Sequence, residues 1–232
     1  MFGFNSPLVR LEKLRLKALN NPDLPPVYRS LYQRSLPNDN TELDECNLIS
    51  IDFETTGLDF ENDTVLSMGG LNIAQGRIEF DSAFHRLLKP AKSIKGTTAV
   101  INMITPEQLI NGDDPVEAMS WLFEKIAGNV VITHCRAIES NFMMKILRLE
   151  NFGLPVIFLD TMAIEQHLIR NARLLTKDFT LSGIRNRRGF PSYEGHNALS
   201  DSLATAELFL AQVKEIFGKA RPTLGPLVKR SV

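Results

Sequence analysis

Two short stretches of this 232-residue chain carry side chains that could do chemistry together. The first is Asp52-Phe53-Glu54-Thr55-Thr56-Gly57. A strand repeats every second residue, so Asp52 and Glu54 project from one face. Two carboxylates side by side at the end of an apolar run repel each other and lose hydration, and a divalent cation is the usual remedy. Alone, Asp-x-Glu is a common accident of exposed strands. The Thr-Thr-Gly that follows adds hydroxyls and a turn where backbone can approach a ligand. The second stretch is Gly195-His196-Asn197-Ala198-Leu199-Ser200-Asp201. On one helix a five-residue step would place His196 and Asp201 roughly 140° apart. A loop position for His196 with Asn197 as helix N-cap fits better. Asp201 then lies in the opening turns, where the helix dipole favours a carboxylate. A loop histidine beside a carboxylate-bound cation can take a proton from water; without Asp201 it would read as a surface residue.

The elements that must position these residues follow from pattern. Asn47–Phe53 is an apolar run that fits a buried strand, and Thr64–Ala74 and Arg77–Lys89 are β-rich segments joined by a Gln75-Gly76 turn. Thr105-Pro106-Glu107-Gln108 is a capping-box start for a helix. Helices are expected over Pro115–Ala127, Ile138–Asn151, Thr161–Asn171 and Ala198–Phe217, with short strands at Asn129–Thr133 and Pro155–Leu159. Hairpinned strands followed by strands alternating with helices predict an α/β fold: a mixed five-stranded sheet with helices on both faces.

Three regions are expected: a basic helical arm and linker (1–45), a main domain (46–217) and a basic tail (218–232). In the arm, leucines recur at helical spacing with Arg10, Lys13, Arg15 and Lys17 between them. Either the leucines pack on the main domain, or the arm docks a protein or nucleic acid. The tail, with its Pro and Gly punctuation, is expected to be loosely held. Lys and Arg number 26 against 27 Asp and Glu, which excludes a grip on nucleic acid or membrane by bulk charge. Cys46 and Cys135 are too few for a disulfide framework, consistent with a reduced cytoplasmic setting. No apolar run long enough to span a membrane and no signal-like start are present.

DFETTG together with the distant H-N-A-L-S-D resembles the first and third sequence blocks of the DEDDh 3′→5′ exonucleases, the family of the proofreading epsilon subunit, RNase T and oligoribonuclease. The resemblance covers about residues 46–217. It implies a ribonuclease H-like fold, two divalent cations (Mg²⁺ or Mn²⁺) and release of nucleoside 5′-monophosphates from 3′ ends of single-stranded DNA or RNA, with DNA favoured. By the same resemblance Asp52 bridges both ions, Glu54 and Asp201 hold the ion that activates water, and His196 is the general base. The family's middle block, of the form H-N-A-x-F-D, matches His134-Cys135-Arg136-Ala137-Ile138-Glu139. Glu139 therefore stands where the family has Asp, one methylene longer, and would support the second ion directly or through water. Thr55, Gly57 and Leu58 would receive the terminal nucleotide, Leu58 wedging against its base. The alternatives are an exoribonuclease of the same family, or a binding module on the same fold in which Glu139 marks lost activity.

Other candidates carry less. Asn102 stands where the family often has His, and either touches substrate or caps a loop. Arg173, Lys177, Arg185, Arg187 and Arg188 form a basic cluster before His196, read as phosphate contacts or as a solvated helix face. His85, His167, Phe53, Phe142 and Trp121 read as structural, and nothing flanks Cys135 as a nucleophile requires.

Overall fold

A computed structural model describes residues 6–90, 104–173, 176–193 and 195–232. Five strands form one mixed sheet in the order β3-β2-β1-β4-β5. They are β1 (Leu48–Thr55), β2 (Val65–Ala74), β3 (Arg77–Leu87), β4 (Val130–Thr133) and β5 (Ile157–Asp160). β1 pairs antiparallel with β2 and parallel with β4, and β4 pairs parallel with β5. Gln75 and Gly76 turn the β2–β3 hairpin with φ of 51° and 71°, the doubly left-handed geometry that a tight two-residue loop needs.

Alternation along β1 divides the core. Ile49, Ile51 and Phe53 face one layer, with α1 (Pro7–Leu19) and α2 (Pro26–Tyr32) contributing Ala18, Tyr28 and Tyr32. Met119 and Phe123 of α4 (Pro115–Ile126) and Phe142 and Met143 of α5 (Ala137–Leu147) complete that layer; the short α3 (Pro106–Ile110) precedes them. Leu48 faces the other layer with Val130, Ile132 and Leu159. Against them pack Ile164 of α6 (Thr161–Ala172), Ala206 and Phe209 of α8 (Ala198–Phe217), and Leu224 and Leu227 of α9 (Leu224–Arg230). A further helix, α7 (Leu181–Arg187), lies between α6 and α8 in sequence.

Thr105 and Gln108 form the expected reciprocal capping box at α3. Two features differ from the sequence expectations. Arg15, one of the basic residues offered for docking, is instead buried, donating to the Tyr32 carbonyl and pairing with Glu12. The tail is not loose, because Leu224, Leu227 and Val228 recur at helical spacing and are buried. Its backbone also returns to the linker, Leu224 N–H donating to Thr41 O and Gly225 N–H to Asp39 O. α7 begins with the Thr180 hydroxyl accepting from Gly183 N–H, and it carries Arg185 and Arg187 of the stretch that the sequence offered as a helix face.

Candidate active site

The sheet presents its carboxylates by overhang. β1 pairs with β4 only over Leu48–Ser50, so Asp52 and Glu54 extend past the partner strand. Ser50, Asp52 and Glu54 share a face. On that face the Ser50 hydroxyl donates to the Ser202 carbonyl at 2.8 Å, which seats the first turns of α8 directly on β1. Gly69 on β2 permits the seating: a Cβ there would lie 2.3 Å from the backbone nitrogen of Leu199. Asn197 caps α8, accepting from Ser200 N–H at 3.0 Å.

The helix thus delivers Asp201 to the strand pair. Carboxylate oxygens of Asp52, Glu54 and Asp201 lie within 4.8 Å of one another. Glu139, in the first turn of α5, stands beside Asp52 but outside that tight group, and its Oε2 is buried without a hydrogen-bond partner. Burial, reinforced by Asp201, pushes Glu54 up to about 7. Burial raises Asp52 well above the usual carboxylate range, with Glu139, Asp201 and Glu54 all adding to the rise. Glu139 and Asp201 are raised by burial as well. Hard oxygen donors massed in a half-buried place, one of them orphaned, fit a divalent cation.

His196 sits just outside α8 in a left-handed conformation, φ 64°. Its backbone N–H donates to Asp201 Oδ2 at 3.0 Å, so the loop is tied to that carboxylate, and its side chain is exposed. Asp52, His196 and Asp201 line one end of a cleft of 580 Å³ whose other wall is α7 and the segment after it. Across the site, the β1–β2 turn is braced by Asp63, which accepts from the Thr56 hydroxyl at 2.7 Å and from Asp59 N–H at 2.8 Å. A side chain at Gly57 would collide with that same carboxylate. The Thr55 hydroxyl donates to the Gly57 carbonyl, and Leu58 is 67% exposed at the turn.

The basic cluster is largely spoken for. Arg187 and Arg188 both pair with the buried Glu165, Arg188 also with Glu215, and Arg185 is itself buried against Glu207. These three arginines brace α6, α7 and α8; Arg173 and Lys177 are exposed. Asn102 lies outside the described residues. Sequence reasoning passed over Asp160. Its carboxylate accepts from Met162 and Ala163 at the start of α6 and from Cys135 and Arg136 in the loop before Glu139. Cys135 needs that anchor, having φ of 74°. An Asp immediately before the Thr161 helix was the available signal, as an N-cap. His134 was also passed over; its ring nitrogens lie 2.9 Å from the Thr161 hydroxyl and 3.0 Å from the Phe179 carbonyl.

The chain has relatives in sequence and in fold. DNA polymerase III PolC-type of Thermotoga maritima is 28% identical over 199 residues, 83% of this chain and 13% of that protein. A DNA polymerase III subunit epsilon-like protein of Rhodobacter capsulatus is 27% identical over 194 residues, 81% of this chain and 27% of that protein. The chain therefore spans well under half of these curated relatives. In fold it resembles E. coli Exonuclease I, solved with a dA16 oligonucleotide, at a TM-score of 0.62 and 13% identity over 74% of this chain and 41% of that one. Exonuclease X, solved with 5′ overhanging duplex DNA, gives 0.57 and 16% identity over 78% of this chain and 99% of that one. Residues 49–209, which hold Asp52, Glu54, Glu139, His196 and Asp201, match the exonuclease family typified by RNase T, and the chain belongs to that family of DEDD-type exonucleases within the ribonuclease H-like superfamily.

Proposed function

We propose that this chain hydrolyses the terminal phosphodiester at the 3′ end of single-stranded nucleic acid, DNA before RNA, releasing nucleoside 5′-monophosphates. The observation that carries the reading is the convergence of Asp52, Glu54 and Asp201 within 4.8 Å, beside Glu139 and the loop of His196. Two divalent cations held by these four carboxylates would, when bound, stabilise charge on the attacking and leaving oxygens. His196 has the exposure and the loop position to take the proton of the attacking water, and its backbone bond to Asp201 fixes it relative to that carboxylate. Thr55, Gly57 and Leu58 receive the terminal nucleotide: the turn exposes backbone to a 3′-hydroxyl, and the exposed Leu58 side chain can wedge against the last base. On this reading exonucleolytic action follows if only a chain end reaches the carboxylates beside that turn.

The test is digestion of 5′-labelled single-stranded DNA and its RNA counterpart with Mg²⁺, Mn²⁺ or EDTA, beside Asp52→Asn. A cation-dependent ladder shortening from the 3′ end, lost in the variant by about two orders of magnitude or more, is expected. Cleavage that EDTA leaves intact would sink the reading. One observation favours a second reading, a binding module with little activity: Glu139 stands outside the tight carboxylate group. Under that reading the natural protein is silent and Glu139→Asp restores cleavage.

A further inference from the structure

The cleft beside the carboxylates is lined, among the described residues, by one Phe, Tyr or Trp side chain, Tyr193. It is 40% exposed yet firmly held. The Arg185 guanidinium lies 4.7 Å from the ring centroid, and the phenol hydroxyl donates to Glu207 Oε1 at 2.9 Å. Arg185 in turn is 3% exposed, pairs with Glu207 at 2.8 Å, and donates to the carbonyls of Ala204 and Pro191. It also lies over Phe190 at 5.0 Å. A buried cation with its donors committed to the protein cannot serve as a phosphate ligand. What it does is back the Phe190 and Tyr193 rings and fix the segment from Pro191 to Tyr193 against α8.

We infer that Tyr193 is a stacking platform for a nucleobase lying behind the 3′-terminal nucleotide, reached through the cleft that begins at Asp52 and His196. This rests on the nuclease reading above and extends it. An apolar ring face left in water beside a strand-binding site is costly, and immobilising it in advance removes the ordering cost of stacking. The neighbouring Glu207 carboxylate, ion-paired with Arg185 and accepting from the phenol, disfavours a phosphate at this position and leaves the flat face of a base as the fitting partner.

The test uses the full chain carrying Asp52→Asn, so that the strand survives, and follows fluorescence anisotropy of a 5′-labelled oligo-dT with Mg²⁺. A single abasic nucleotide is moved stepwise away from the 3′ end, and each strand is titrated against Tyr193, Tyr193→Phe and Tyr193→Ala. Stacking predicts that one abasic position weakens binding by about tenfold for Tyr193, that Tyr193→Ala weakens binding of the intact strand about as much, and that the two losses do not add. Tyr193→Phe keeps most of the sensitivity to the missing base. Equal losses by Tyr193→Ala on intact and abasic strands would mean that the ring only props the loop, and would overturn the inference, as would no loss at all. If the protein with Tyr193 fails to bind any strand, the nucleic-acid reading falls and this subsite with it.

Discussion

The four clustered carboxylates are held in the folded protein against their own repulsion, and that makes their protonation a stability term. Glu54 rises from an ordinary 4.5 to about 7, so without a cation the folded chain binds a proton that the unfolded chain has released across that window. A raised carboxyl stabilises the fold below the unfolded value, and the benefit is lost as pH rises through the folded one. Metal-free protein should therefore gain stability on acidification from pH 8 to about 5, by roughly 3 kcal/mol from Glu54, read as a rise in Tm. Glu54→Gln should flatten that dependence and raise the metal-free Tm at pH 8. In the unsubstituted protein Mg²⁺ or Mn²⁺ should stabilise at pH 8 and do so less at pH 5, where protons compete for the same oxygens. A thermal shift that ignores both pH and cation would show that the carboxylates do not share a site.

Among the elements, the seating of α8 on the sheet decides where Asp201 stands. Gly69→Ala should push the start of the helix off β2, because the added carbon meets backbone rather than a yielding side chain. A cost of about 2 kcal/mol is expected by urea denaturation, together with loss of the cation-induced shift in Tm. Wild-type behaviour would mean that the helix start is less closely packed than the glycine implies. Much of this level was legible in the sequence. Period 2 put Asp52 and Glu54 on one face, and Asn197 marked the start of the long helix. The parts that were not legible depend on partners distant in the chain. Arg187 and Arg188 read as free cations because Glu165 lies more than twenty residues upstream, and Arg185 because Glu207 lies on the next helix. Asp160 reads as an ordinary cap until the fold brings the Cys135 loop to it.

On the scale of the whole molecule, the arm before Leu48 belongs to the core by packing, whatever surface it also offers. Leu24, Tyr28, Leu31 and Tyr32 are buried with Phe123 and Phe142, and the Tyr28 hydroxyl bonds Ser120 Oγ at 2.9 Å. A chain begun at Asn40 loses these side chains, each worth about 1.5–3 kcal/mol of buried surface, and should be insoluble or molten by near-UV circular dichroism. A folded, active product would release the arm for docking a protein partner. No helix among the described residues is long and apolar enough to cross a membrane.

The carboxylates come from residues far apart in the chain, and Asp201 reaches its place only when α8 settles beside Gly69. Mutual repulsion disfavours that approach, so the site is expected to assemble late in folding as well as tightly in space. A cation would then recognise a state reached only after the barrier has been crossed. Added Mg²⁺ should slow unfolding several-fold and leave the refolding rate nearly unchanged, so that the ion acts less as an aid to folding than as a latch on the finished molecule.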